Sequence, residues 1–254
     1  MKVSLITICF NNEKEIAQTI ESVVNQTYLN IEYIVIDGKS QDDTINIINN
    51  YRKNISHIIS EKDEGIYDAI NKGIDKAKGD IIGLIHGGDL LYDNFVIEKI
   101  VNHFELNDIE ALYGHSKIYS SDGKKVVRIN KSTSYKHKLF RIGWFPSHQS
   151  FYAKRKLFLK YGNYNIKYQI AADYELVLRF LYLHKIKVKL LDEYIIKFKL
   201  GGTSTKSLKN IIKLNKECMN AWNDNGMIMP FYLIPLKLYR KVVQLIQAKT
   251  SNNV

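Results

Sequence analysis

The sequence predicts an α/β protein, with a mainly parallel central sheet flanked by helices and a C-terminal helical extension. Three observations carry this expectation. Short β-branched apolar runs alternate with amphipathic helical stretches over the first hundred residues, which implies parallel strands joined by right-handed crossovers. The runs end abruptly in polar or acidic turns, at Asn11-Asn12, Asp37-Gly38, Glu61 to Glu64 and Gly87-Gly88-Asp89. After residue 205 the chain changes character and becomes basic and aromatic.

The elements follow in order. Val3 to Phe10 is the first strand, and Glu13 to Gln26 then places Ile16, Ile20, Val23 and Val24 on one helical face. Ile31 to Ile36 is the second strand; Ser40 and the Asp42-Asp43 pair open a helix carrying Ile45, Ile48 and Tyr51. Ser56 to Ser60 is a weaker strand. Ile66, Ile70, Ile74 and Ala77 mark a helix with Gly79 as its expected C-cap. Ile81 to Ile85 is a buried strand. Beyond residue 110, Ala111–Gly114 reads as a strand and 116–129 as a hairpin turning at Asp122-Gly123. A short strand at Ser150–Ala153, a basic helix stopped at Gly162, a helix from Asp173 to His184 and a strand over 186–200 complete the pattern. Residues 1–205 form the expected domain, with 1–110 as its nucleotide-binding half and 111–205 as its acceptor-binding half. Residues 206–254 form the extension.

Composition narrows the class. A hydrophobic content of 45% with only three prolines excludes a disordered chain. The net charge of +11 invites a nucleic-acid partner. The basic residues are dispersed, however, and no DNA- or RNA-reading motif accompanies them, so none is expected. Cys9 reads as a small buried hydrophobe and Cys218 lies in a polar helical stretch, as suits a reducing compartment. The first apolar segment is too short for a signal peptide, and no run approaches the roughly 20 residues that span a bilayer. In the tail, Met227 to Leu236 is apolar and lies among Lys206, Lys209, Lys213, Lys216, Lys237, Arg240 and Lys241. That pattern suits a core-packed helical hairpin or a segment lying on an anionic membrane surface.

The acids at successive strand ends carry the functional reading. Each alone is a turn former or helix cap. Together they line one sheet edge with negative charge, which cations or sugar hydroxyls would offset. Asp89 follows a strand and two glycines that let a ligand close in, and such an acid can hold a divalent cation against a diphosphate.

The motifs themselves are specific. Thr7-Ile8-Cys9-Phe10-Asn11-Asn12, Ser22-Val23-Val24-Asn25-Gln26-Thr27-Tyr28 and Tyr33 to Thr44, with Asp37-Gly38-Lys39-Ser40 at its centre, resemble a family-2 glycosyltransferase of the GT-A fold, a Rossmann-like nucleotide-diphospho-sugar transferase architecture. Ser60 to Gly73 is similar to the signature of the branch that builds bacterial capsule, O-antigen and exopolysaccharide units. The resemblance covers about residues 3–205.

The resemblance implies roles. Thr7, Phe10 and Asn12 would flank base and ribose, and Asp37 would bond one of them. Asp63, Gly65, Asn71 and Lys72 would wall the nucleotide and sugar, although Lys72 reads equally as a solvated helix residue. Asp89 would be the metal-binding acid, with Mg2+ or Mn2+ as cofactor. Relatives often carry two adjacent acids where this chain has Gly88-Asp89, so weaker metal affinity is expected without the nucleotide. Asp173, in Ala171-Ala172-Asp173-Tyr174-Glu175, matches the base, with Glu175 as fallback; a helix-capping role is compatible with it. A raised carboxyl pKa, from burial and a second acid, is expected there. His148, Gln149 and Tyr174 belong to the acceptor side, and Gly201-Gly202-Thr203-Ser204 reads as a loop over the diphosphate or a plain loop.

The expected function is inverting transfer of a sugar, from a UDP-sugar first of all, to a hydroxyl of a lipid-linked glycan at the inner face of the cytoplasmic membrane. A homo-oligomer is compatible with the sequence. Two rivals stand beside this reading. A nucleotidyltransferase would need a glycine- and basic-rich loop after the first strand, and Phe10-Asn11-Asn12-Glu13 is not one. A non-catalytic nucleotide-sugar-binding or membrane scaffold protein would not need Asp37, Asp89 and Asp173 together.

Overall fold

In the computed structural model, which describes residues 1–120, 122–199 and 207–236, the N-terminal half follows the expected alternation. Strands β1 (Val3–Cys9), β2 (Ile31–Asp37), β3 (His57–Ser60) and β4 (Ile81–His86) interleave with helices α1 (Ile16–Val24), α2 (Thr44–Asn50) and α3 (Ile66–Lys76). The four strands are parallel, in the spatial order β3-β2-β1-β4. Cys9 pairs with Asp37 and Ile8 with His86, so the strand ends share one edge.

Strand alternation sorts the core into two layers. Ile6 and Ile8 join Ile34, Ile36, Ile82 and Leu84 on one face, where Ile70 and Ile74 of α3 cover them. Val3 and Leu5 join Tyr33, Val35, Ile81 and Ile85 on the other, under Ile16, Ile20 and Val23 of α1. Each such side chain contributes roughly 1.5–3 kcal/mol on leaving water, which commits both faces to burial. α3 approaches closely because Gly73 has no side chain; a Cβ there would lie 2.4 Å from Ile6 Cγ2. Gly79 is not the cap of α3, a place taken by Ala77. It lies instead where a Cβ would meet the Ser4 amide nitrogen at 2.7 Å.

The rest of the sheet is mixed. The two-residue strand β5 (Leu90–Leu91) and α4 (Val96–Leu106) lead to β6 (Ala111–Tyr119) and β7 (Val126–Asn130), the expected hairpin. β8 (Phe151–Lys154) lies antiparallel between β4 and β6, and so joins the two halves. α5 (Arg155–Tyr161) and α6 (Ala172–Val177) follow, and α6 runs into a π-helical turn over 178–183. β9 (Val188–Lys199) pairs parallel with β6 and antiparallel with β5. Nine strands among the described residues therefore form one sheet, β3-β2-β1-β4-β8-β6-β9-β5, with β7 beside β6.

The described part of the tail packs against this body. In α7 (Leu208–Asp224) the Ser207 hydroxyl accepts from the Asn210 N–H at 3.1 Å, capping the helix. Cys218, Ala221 and Trp222, with Leu233 beyond the helix, are buried in the layer that contains α3 and α6. Cys218 is thus the buried thiol and Cys9 the half-buried one. No helix among the described residues is long and apolar enough to cross a membrane.

Candidate active site

Two distant segments meet at the edge where β4 ends. Asp173 lies in the first turn of α6, and His148 lies in a 3₁₀ turn just before β8. His148 Nδ1 donates to Asp173 Oδ2 at 2.8 Å. The other carboxylate oxygen accepts from the Tyr174 N–H at 2.7 Å and from the Tyr67 hydroxyl at 3.4 Å. The His86 ring, at the end of β4, meets His148 edge-on at 6.3 Å. With Ile66, Tyr67, Ile70, Leu84 and Tyr164, these residues enclose a cavity of about 50 Å³.

The electrostatics differ from the sequence expectation. Burial acts to raise the Asp173 carboxyl, but the charge and hydrogen bond of His148, with the Tyr174 N–H, outweigh it and hold the group below its ordinary value. A histidine, not a second acid, is its immediate partner. Burial likewise acts to lower His148, and Asp173 reverses this, holding the imidazole above its ordinary value. At His86 burial and the neighbouring His148 outweigh the charge of Asp173 and push the imidazole down to about 4, so it is neutral at pH 7.

Asp89 lies one turn past β4, its N–H donating to His86 O at 2.9 Å. Burial pushes its carboxyl up to about 7; the charge of His148 opposes this and that of Glu15 adds to it. Gly88 takes φ +98, and its N–H donates to Thr19 Oγ1 at 2.9 Å. A Cβ on Gly88 would lie 2.5 Å from Glu15 Oε2. Asn12 Oδ1 is buried without a hydrogen-bond partner, 2.8 Å from where a Gly87 Cβ would be. No group of three or more Cys, His, Asp or Glu among the described residues forms a ready-made metal cage. The turn nonetheless suits a divalent cation. It gathers negative charge and an unmet oxygen acceptor, and Mg2+ needs only one or two carboxylates when phosphates complete its shell.

Phe10, Asp63 and Lys72 border the ends of β1 and β2. Phe10 is 60% exposed, an open aromatic face suited to stacking a base. A Cβ on Gly38 would meet Asp63 Oδ2 at 2.9 Å and Phe10 Cδ2 at 3.3 Å, so the three residues crowd together. Lys72 is not a solvated helix residue: its ammonium pairs with Asp63 at 2.8 Å, Glu61 at 2.9 Å and Asp68 at 3.2 Å. Gly65, at φ +130, starts α3 in a conformation that side chains resist.

Six expected residues are bonded within the protein. Thr7 is fully buried within the sheet, its hydroxyl 3.0 Å from that of Tyr33, because its side chain points into the layer beside Leu5 rather than past the strand end. Asp37 is also fully buried. Its carboxylate accepts from the Ser40 N–H at 3.1 Å, the Ser40 hydroxyl and the Ser60 hydroxyl at 2.6 Å, so it holds its own turn and does not share the cavity of Asp173. Asn71 spends its whole amide on Tyr164, donating to the carbonyl at 2.8 Å and accepting from the N–H at 3.0 Å. Tyr174 is buried against Phe140 and Phe145, and its hydroxyl accepts from Trp222 Nε1 at 2.8 Å. Glu175, the fallback base, is buried and bonded to Arg179 Nε at 2.8 Å and Asn225 Nδ2 at 3.0 Å. Gln149 is half-buried and accepts from Ser147 Oγ at 3.1 Å. Gly201-Gly202-Thr203-Ser204 lies outside the described residues.

Sequence reasoning also missed residues. His86 was legible only as the end of a strand, and Glu15 only as a polar residue at a helix start. Glu217 gave no signal. On α7, it accepts from the N–H groups of Gln169, Ile170 and Ala171 at 3.2, 2.8 and 2.9 Å, clamping the turn that presents Asp173.

Comparison with known proteins identifies the family and the fold. The model of glycosyl transferase family 2 matches residues 4–168. An uncharacterised glycosyltransferase of Mycobacterium tuberculosis is 33% identical over 185 residues, covering 70% of this chain and 68% of that protein. A PGL/p-HBAD biosynthesis glycosyltransferase of Mycobacterium bovis BCG is 27% identical over 182 residues, covering 69% and 68%. Among solved structures, Staphylococcus aureus TarS 1–349 in complex with UDP superposes with a TM-score of 0.67 at 16% identity, covering 87% of this chain and 65% of that one. The mannosyltransferase PcManGT of Pyrobaculum calidifontis, in complex with GDP-Man and Mn2+, gives 0.62 at 13%, covering 99% and 78%. These likenesses establish a GT-A fold, and the nucleotidyltransferase and scaffold readings give way. The chain is a glycosyltransferase and belongs to glycosyl transferase family 2.

Proposed function

We propose that this glycosyltransferase is an inverting enzyme that moves a sugar from a nucleotide-diphosphate donor, a UDP-sugar first of all, to a hydroxyl of a lipid-linked glycan in surface polysaccharide synthesis. The observation that carries the reading is the Asp173–His148 pair at 2.8 Å, with His148 electrostatically coupled to Asp89. The imidazole that pairs with the proposed base is thus also within electrostatic reach of the cation-suited acid, which supports the reading. TarS has been solved with UDP-GlcNAc, and PcManGT with GDP-Man, which supports a nucleotide-sugar donor and leaves the sugar to experiment.

Asp173 takes the acceptor proton as the hydroxyl attacks the anomeric carbon from the side opposite the diphosphate. Its partnership with His148 keeps the carboxylate ionised and aimed, and the pair shares the arriving proton. Phe10 offers a stacking face for the base. Asp89, with the diphosphate, would hold Mg2+ or Mn2+, which supplies charge neutralisation of the leaving group. The basic tail, with exposed Ile212, Ile228 and Phe231, supports work at the inner face of the cytoplasmic membrane.

Incubating the protein with labelled donors and a lipid-linked acceptor pool tests the reading. The Asp173→Asn variant is expected to bind donor normally and to lose transfer by about a hundredfold or more, in line with general-base contributions. Unchanged turnover would refute the base assignment.

A further inference from the structure

Gly88 leaves room beside Asp89 that the structure fills with a carboxylate from another element. A Cβ built on Gly88 would lie 2.5 Å from Glu15 Oε2 and 3.4 Å from Glu15 Cδ. The volume of a residue-88 side chain is therefore already held by the Glu15 carboxylate, entering from the residue just before α1. Glu15 also bears electrostatically on Asp89.

Two further observations bear on a ligand at this turn, one naming its competitor and one an unmet acceptor. The Lys199 ammonium, at the end of β9, lies 2.6 Å from Glu15 Oε1, so an internal cation already occupies the acid. Asn12 Oδ1, beside Gly87, is buried and has no partner, an acceptor facing the same turn. Both Glu15 and Lys199 keep about a third of their side-chain surface in water. Such a partly exposed pair contributes little, so a divalent ion held by two carboxylates and a diphosphate can displace the lysine.

We propose that Glu15 supplies the second carboxylate of a divalent-cation site whose first is Asp89, with Lys199 as its displaceable internal counter-ion. The proposal rests on the glycosyltransferase reading of Asp89 and deepens it, by naming the carboxylate that stands beside Gly88. A hard cation with oxygen ligands suits this set, and two carboxylates with phosphate oxygens satisfy Mg2+ or Mn2+.

The test is binding, not turnover. Free Mn2+ is measured by electron paramagnetic resonance during titration of the full chain, with and without UDP. Thermal melts in EDTA check that each variant folds. Glu15→Gln is expected to weaken Mn2+ binding in the presence of UDP at least tenfold, and Glu15→Asp less. Lys199→Met is expected to tighten Mn2+ binding severalfold, because the competing ammonium is gone. If Asp89→Asn abolishes binding while Glu15→Gln stays within twofold of the parent, Glu15 is only the partner of Lys199 and the proposal fails alone. If neither variant alters binding, the Asp89 assignment fails with it. Unchanged or weaker binding by Lys199→Met overturns the displacement.

Discussion

Glu217→Gln is the most informative perturbation of the turn that carries Asp173. The Glu217 carboxylate is 7% exposed and accepts three backbone N–H groups, at 3.2, 2.8 and 2.9 Å. Hydrogen bonds to an ionised acceptor are about twice as strong as neutral ones. The amide keeps one oxygen but turns an NH2 toward at least one N–H, leaving a buried donor unmet at a cost of about 1–3 kcal/mol. Together the losses come to roughly 2–4 kcal/mol of folding stability. Asp173 follows only two residues after Ala171, so a relaxed turn moves its carboxylate relative to His148, and a displacement of about 1 Å can cost on the order of a hundredfold in rate. Urea unfolding followed by tryptophan fluorescence measures the first effect, and initial rates with donor and acceptor varied separately measure the second. The expectation is a kcat lowered about ten- to a hundredfold with donor KM within twofold, because the donor side is built on other elements. Glu217→Asp should recover part of the rate. Wild-type kcat in Glu217→Gln, or a loss borne equally by donor KM, would show that α7 does not position the base.

Thr7→Val should cost about 1–3 kcal/mol by leaving the buried Tyr33 hydroxyl unpaired, yet UDP should raise the melting temperature as in the parent; lost binding would return Thr7 to the nucleotide site. Asn71→Ala removes both bonds to Tyr164 and should cost about 2 kcal/mol in urea unfolding, with donor affinity unchanged. The His148–Asp173 pair makes a pH prediction. His148 is raised above 6.5, so its contribution to stability is full below that value and lost as pH rises through the raised one. Asp173 is lowered below 3.8, so its contribution is present above that value and lost as pH falls through the lowered one. The stability gap between parent and His148→Ala should therefore be widest between about pH 4 and 6.5 and narrow above it; a gap that widens toward pH 9 would contradict the pairing.

Much of the fold was legible because burial writes period into sequence. The runs of β1, β2 and β4 and the helical faces of α1 and α3 are patterned by the layer they cover, and such patterns are local. β5 escaped notice, since two residues show no period. Gly79 misled, because a glycine demanded by a close tertiary approach looks the same as one demanded by a cap. Motifs singled out Asp89, His148 and Asp173; of the expected common cleft for Asp37, Asp89 and Asp173, the structure keeps Asp37 apart, bonded within its own turn. Thr7, Asp37, Asn71 and Tyr174 lie in the same motifs but are engaged in hydrogen bonds within the protein, which was not legible because spacing says nothing of where a side chain points or what already bonds it.

By itself, the sequence determined the family, the parallel N-terminal half and the acids at its strand ends, since these depend on residue type and short-range order along the chain. Only the tertiary structure decided that Asp173 faces a histidine, that Glu15 stands in the space beside Gly88 and that Glu217 clamps the turn that presents Asp173. Each of these is a contact between residues 25 to 73 positions apart. The direction of a pKa shift and the filling of a vacancy depend on distances of a few ångströms, which no linear spacing encodes.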